Sequence, residues 1–248
     1  MGWDEVVGRV SPYLVRIETP ECFGTGFLCF YNHDQSWVAI ATAAHVVARA
    51  DEWQQPIKVR CQGRDQVSFL RPTERVIYLN TAADAAVVLF PNLLGLHEDG
   101  IPLLPATTDL PIGTSVGWLG YPAIVGQTMC FFTGTVSAIQ RVVVGGHNRS
   151  YLIDGVAING VSGGPVIYHN TADDSIAIIG ILTAYMANRQ RGEALPGLSV
   201  AQDVTHFHGV LKTITDIDDA ERLKKEMEVL TALTGTGAGT AIPPTPES

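Results

Sequence analysis

Positive charge and long apolar runs are both scarce in this chain of 248 residues. Lys and Arg number 16 against 25 Asp and Glu, a formal charge of −9 that argues against nucleic acid or an anionic membrane as a principal partner. No stretch approaches the ~20 consecutive apolar residues of a bilayer-spanning helix. The opening Met1-Gly2-Trp3-Asp4-Glu5 has neither a basic nor an apolar region, so no signal peptide is expected. Cysteines are few: Cys22, Cys29, Cys61 and Cys130. Cys22 and Cys29 lack a second Cys/His pair that would complete a metal set, so neither metal nor other cofactor is expected. An even count leaves two disulfides open, but the reading adopted is thiols of a reducing compartment and a cytoplasmic location. His206-Phe207-His208 would put two imidazoles on one face of a strand. No carboxylate is evidently placed with them, which favours a packing or surface role. Internal repeats are absent.

What the chain has in quantity is apolar residues, 46% of the total, in short runs punctuated by Gly, Pro, Asn and Asp. From Val10 to Val204 this pattern is that of an all-β protein. The length suits one domain of two barrels or two small domains. The first barrel is expected over about 6–90 and the second over about 111–204, within a domain spanning 6–210, with Pro91 to Pro111 as the connection. After His208 the period changes. Ile217, Ala220, Leu223, Met227 and Leu230 recur three or four apart among charged residues, predicting an amphipathic helix over 216–234. Asp218 and Glu221 resemble its capping box. A stripe of this kind usually faces a core, so the helix is expected to pack on the second barrel rather than to bind a partner. The Gly/Thr/Pro-rich segment 235–248 is expected to be disordered.

Three segments carry chemistry. Gly160-Val161-Ser162-Gly163-Gly164-Pro165 surrounds one hydroxyl with glycines, which let the chain turn tightly and N–H groups converge beside Ser162. Alone, such a run is more often just a turn. Trp37-Val38-Ala39-Ile40-Ala41-Thr42-Ala43-Ala44-His45 is a buried-strand pattern delivering a histidine, and Thr81-Ala82-Ala83-Asp84-Ala85-Ala86-Val87-Val88-Leu89 sets one acid at the mouth of another. Each alone has a bland reading: a strand-end histidine satisfied by a carbonyl, and a turn aspartate facing water. Their conjunction is far stronger, because His, Asp and Ser together form a nucleophile, its base and the base's orienter.

The order His45, Asp84, Ser162 and the motifs around them resemble the chymotrypsin/trypsin-like serine proteases. Further similarities point to the HtrA/Deg-type bacterial branch. Leu14-Val15-Arg16-Ile17-Glu18 with Gly24-Thr25-Gly26-Phe27 is similar to its first hairpin, and Gly113-Thr114-Ser115-Val116-Gly117-Trp118-Leu119-Gly120-Tyr121-Pro122 to the strand opening its second barrel. Thr133-Gly134-Thr135-Val136-Ser137 and Gly180-Ile181-Leu182-Thr183-Ala184 are similar to its later strands. The resemblance implies an all-β fold of two six-stranded antiparallel chymotrypsin-like barrels with a C-terminal α-helix. It implies a serine endopeptidase acting on polypeptides: Ser162 as nucleophile, His45 as base, Asp84 as orienter, and the N–H groups of Gly160 and Ser162 as the oxyanion hole. No PDZ-like domain is expected after the protease region, unlike in typical HtrA proteins.

By the same resemblance Val156 is the base of the primary specificity pocket with Ala157 beside it, Thr183, Ala184 and Tyr185 bind substrate backbone by strand addition, and Gly197-Leu198 close the pocket. None of these can pair with Lys or Arg, so a small or medium aliphatic residue is expected before the cut bond. Secreted trypsin-like zymogens carry Asp immediately before the serine, but Val161 stands here, so that activation switch cannot operate. An activating protein partner or homo-oligomer is the expected alternative. A catalytically silent or latent protease-fold module, binding within a larger complex, is the competing reading.

Overall fold

A computed structural model describes residues 1–92, 100–143, 147–190 and 193–235. The expected connection residues Leu93-Leu94 and most of the C-terminal tail therefore lie outside the described residues. The chain divides into two compact units, Met1–Leu211 and Lys212–Ser248.

The first unit opens with a helix, α1 (Trp3–Val10). Val6 and Val10, one turn apart, are buried, while Asp4 and Glu5 in the first turn and Arg9 in the last complement the helix dipole. This apolar spacing is helical rather than alternating, so strand structure begins at Leu14, later than the expected start at 6. Seven strands follow: β1 (Leu14–Glu18), β2 (Phe23–Tyr31), β3 (Trp37–Thr42), β4 (Ile57–Cys61), β5 (Val67–Leu70), β6 (Val76–Asn80) and β7 (Ala85–Pro91), with helix α2 (Ala44–Glu52) between β3 and β4. They pair antiparallel in the order β5-β4-β1-β2-β3-β7-β6. β4 alternates, with Ile57, Val59 and Cys61 inward, whereas β3 and β7 are near-continuous apolar runs buried along most of their length.

This sheet has one strand more than the expected six, and its edges β5 and β6 are not hydrogen-bonded to each other. Arg75 stands at the gap. Its guanidinium donates to the carbonyls of Leu70 (2.8 Å), Ala50 (3.2 Å) and Gln55 (2.8 Å), tying the end of β5 to the end of α2.

The second set closes. β8 (Ser115–Gly120), β9 (Cys130–Val143), β10 (His147–Asp154), β11 (Pro165–Asn170), β12 (Ser175–Gln190) and β13 (Glu193–Asp203) form a six-stranded barrel in the order β10-β13-β12-β11-β8-β9. Val116, Trp118, Val136, Tyr151, Ile153, Val166, Leu182 and Ala201 fill it. The mostly-β architecture, one closed barrel and one curled sheet followed by a helix, is that of the chymotrypsin-like fold.

Helix α3 (Thr205–Gly235) begins eleven residues before the expected 216. The Thr205 N–H is capped by Asp203 Oδ1 at 3.0 Å, a side-chain start signal that the apolar period alone does not reveal. His206-Phe207-His208 is therefore helical, and its two imidazoles diverge. His206 meets Asn80 (3.0 Å) and Gln202 (3.3 Å), while His208 bonds the Leu104 carbonyl (2.8 Å). Among the described residues no cluster of His, Cys, Asp or Glu could hold a metal, and no helix is long and apolar enough to cross a membrane. All four cysteines are free thiols. Burial pushes the Cys29 thiol up to about 12 and that of Cys61 to about 11, so neither supplies a thiolate at neutral pH.

Candidate active site

His45 is the second residue of α2, immediately after β3, rather than a strand-end residue. The helix N-cap, Ala43, has no side chain able to accept a hydrogen bond. Asp84 takes over that task from outside the helix. Its backbone carbonyl accepts the Ala44 N–H at 3.1 Å and its Oδ1 accepts the His45 N–H at 2.9 Å, satisfying two of the donors that a helix start leaves orphaned. The remaining oxygen, Oδ2, lies 2.7 Å from His45 Nδ1. With Nδ1–H donating to the carboxylate, Nε2 is left as the acceptor. Asp84 holds a left-handed backbone, φ 48°, a conformation that Asp tolerates better than most side chains, and β7 begins at the next residue. The pair is accessible: the side chains are 49% and 34% exposed.

Ser162 is half-buried on the loop between β10 and β11. Gly160 and Gly163 adopt φ 94° and 83°, accessible to glycine at little cost. A Cβ on Gly163 would collide with the Thr25 carbonyl and the Thr42 hydroxyl. Around Ser162 three N–H groups are used: Val161 to Ile158 O (3.0 Å), Gly163 to Leu182 O (2.7 Å) and Gly164 to Val161 O (2.8 Å). The N–H groups of Gly160 and Ser162 have no protein acceptor among the described residues. The Asn159 carbonyl accepts the Ala123 N–H at 2.7 Å. Since C=O and N–H of a trans peptide point oppositely, that bond turns the Gly160 N–H away from Ala123. Val161 is fully buried, its side chain against Gly120, so a hydrophobic anchor occupies the position where an ion-paired aspartate was absent from the sequence.

The two halves meet at Gly24, where an added Cβ would lie 2.5 Å from Val46, next to His45, and 3.0 Å from the Ser162 carbonyl. That carbonyl accepts the Thr25 N–H at 2.8 Å. No hydrogen bond joins Ser162 Oγ to His45 among the described residues. Such bonds are often long in ligand-free enzymes and tighten with substrate.

Of the expected pocket residues, Val156 is 56% exposed, and Ala157 follows it on the same loop. Thr183 sits where the β12–β13 register slips between Leu182 and Ala184, a bulge of the kind that re-aims a strand near functional sites. Beyond Ile181, β12 no longer pairs with β11. Thr183, Ala184 and Tyr185 therefore have β13 on one side and, among the described residues, no strand on the other. The Tyr185 hydroxyl accepts the Gly197 N–H, and Leu198 pairs with Met186. Ser199 donates to the Gly155 carbonyl at 2.7 Å, tying β13 to the residue before Val156. Sequence reasoning missed two contributors, Thr25 and Thr42. A threonine in a strand carries no sign of which distant loop it will bond.

Comparisons with known proteins agree with this geometry. Residues 24–178 match the model of the trypsin-like peptidase domain. No curated protein matches the chain. The inactive form of the Rv3671c protease of M. tuberculosis is 22% identical with a TM-score of 0.59, over 84% of this chain and 92% of that one. Deg5 is 22% identical with a TM-score of 0.58, over 80% and 87%. The serine endoprotease from Yersinia pestis is 20% identical with a TM-score of 0.62, over 87% and 67%. Likeness at this identity speaks for the fold, while the family model spans most of both sheets and all three motif segments. On that match, the chain belongs to the trypsin-like peptidase domain family.

Proposed function

We propose that this peptidase-family member is a serine endopeptidase working through His45, Asp84 and Ser162. One observation carries the reading: the Asp84–His45 pair at 2.7 Å stands beside a serine turn whose Gly160 and Ser162 N–H groups are left without acceptors while those of Val161, Gly163 and Gly164 are engaged. As Ser162 Oγ bonds to the scissile carbonyl carbon, its proton passes to His45 Nε2. The resulting oxyanion is received by the N–H groups of Gly160 and Ser162. His45 then protonates the leaving amine as the C–N bond breaks, leaving an acyl-enzyme that water hydrolyses by the same relay in reverse. Asp84 keeps the tautomer and stabilises the imidazolium.

Substrate backbone adds to the open side of Thr183–Tyr185. Val156 and Ala157 supply no counter-charge for a cation, and Tyr185, bonded to Gly197, narrows the pocket, which favours small or medium aliphatic residues before the cut bond. The four free cysteines favour a reducing compartment, the cytoplasm, as the place of action. A latent form that needs a protein partner or a second copy is the alternative, in keeping with the inactive form known for the similarly folded Rv3671c protease. Fluorophosphonate labelling with peptide mapping is the test: label on Ser162 is expected, and turnover of peptides with no label there rejects the assignment. Peptide-library profiling decides specificity. Cleavage should fall mainly after Ala, Val or Leu, and Val156→Asp should move preference toward Lys or Arg.

A further inference from the structure

The loop that would hold the oxyanion lacks the charged tether of secreted relatives; its own bonds hold Val161, through the N–H to Ile158 and the carbonyl to Gly164, but bond neither the Gly160 nor the Ser162 carbonyl. Thr25, on β2, is fully buried and uses every hydrogen-bonding group it has. Its hydroxyl donates to the Gly160 carbonyl at 2.8 Å and accepts the Tyr121 N–H at 3.1 Å, so the rotor has one orientation available. Its backbone N–H donates to the Ser162 carbonyl at 2.8 Å, and its own carbonyl accepts the Thr42 hydroxyl at 2.7 Å. The two carbonyls that Thr25 grips belong to Gly160 and Ser162, the same residues whose N–H groups are unpaired.

We infer that Thr25 is a positioning residue for the oxyanion loop: its hydroxyl holds the Gly160 carbonyl while the Ala123 N–H holds the Asn159 carbonyl, so the peptides on both sides of Gly160 are pinned and the Gly160 N–H, part of the Asn159–Gly160 peptide, keeps its direction. The glycine at φ 94° makes this control necessary, because the residue that permits the turn also permits others. Without the hydroxyl the Gly160 carbonyl is a buried acceptor lacking its donor, and only the Val161 N–H to Ile158 still restrains that peptide, so Gly160 is free to turn toward water or another donor. Thr42 extends the grip to the strand that delivers His45, so the site's two halves are registered through one side chain. The inference rests on the triad reading above, since its effect on turnover passes through the oxyanion hole.

The test compares Thr25→Val and Thr25→Ala, which remove the hydroxyl, with Thr25→Ser, which keeps it, in the full chain. Losing one oxyanion donor costs on the order of 100- to 1000-fold in turnover. A loop that samples the right orientation only part of the time should cost about 10- to 100-fold in kcat, with KM changed by less than about threefold. Binding of a peptide aldehyde, whose adduct places an oxyanion in the hole, should weaken in parallel. Thr25→Ser should restore both to within about threefold of the parent. A purely structural role predicts instead that losses follow the unfolded fraction, with Ser failing as Ala does; that result, or Thr25→Val with parental kcat, overturns the inference. If the parent itself turns over no peptide and takes no fluorophosphonate, the triad reading is what has failed. Crystal structures of the parent and Thr25→Val then decide independently. A rotated Gly160 carbonyl in the variant supports the inference, and an unchanged one refutes it.

Discussion

The two β-systems solve the same closure problem differently. In the barrel of β8 to β13 every strand has a neighbour on each side, and its buried arginine, Arg149, serves within the wall, donating to Asp203 at 2.7 Å. In the sheet of β1 to β7 the ring is left open, and Arg75, just before the edge strand β6, bonds the carbonyl that ends β5 and two at the end of α2. Their contributions to the site differ in the same sense. The open sheet provides a dyad assembled from its own parts, with Asp84 capping α2 and orienting His45 in one set of bonds. The closed barrel provides a serine loop that borrows its restraint from the other system, through Thr25. A rigid wall therefore does not imply a self-sufficient loop, and the element most in need of outside support lies on the more complete barrel.

The largest expected effects break the division of labour itself. Ser162→Ala or His45→Ala should each lower turnover by about a millionfold with little change in melting temperature, because such residues act as a unit. Asp84→Asn should cost ~10,000-fold by favouring the wrong tautomer. Steady-state kinetics with a chromogenic peptide measures all three, and a His45→Ala protein with near-parental activity would reject the dyad. Next in size is an effect on stability alone. Arg75→Met removes the side-chain donor to the carbonyls of Leu70 and Gln55 and one of two donors to that of Ala50, and should destabilise the first unit by roughly 2–4 kcal/mol. Below the melting transition kcat should stay within a few-fold. Urea unfolding followed by two probes, one in each β-system, would read whether the open sheet yields first; coincident transitions with an unchanged midpoint would remove Arg75's bridging role.

The smallest effect sharpens the comparison at the start of α3, where His206 bonds Asn80, at the end of β6 in the open sheet, and Gln202 of the barrel. Burial holds the His206 imidazole below its ordinary pKa. On acidification the unfolded chain takes up a proton near pH ~6.5 that the folded chain refuses, so stability present above that pH is lost as pH falls through and below it. The melting temperature should decline from pH 7 to 5.5, and His206→Asn should flatten that slope. An unaltered slope would show that His206 is not the group responsible.

The sequence by itself determined the β class, the three segments that carry His45, Asp84 and Ser162, and the presence of a helix after the barrel, because alternation, apolar runs and glycine placement are local patterns. It misread where local signals are ambiguous: Val6 and Val10 fall within the range expected for the first barrel but lie one turn apart on α1, and α3 begins at Thr205 because Asp203 caps it. Only the tertiary structure decided that His45 opens a helix, that Asp84 is both cap and orienter, that one sheet stays open around Arg75, and that Thr25 reaches Gly160 and Ser162 across more than a hundred residues of chain. These are hydrogen bonds between distant segments. Their partners are chosen by how the sheets pack, and no periodicity in the chain encodes that choice.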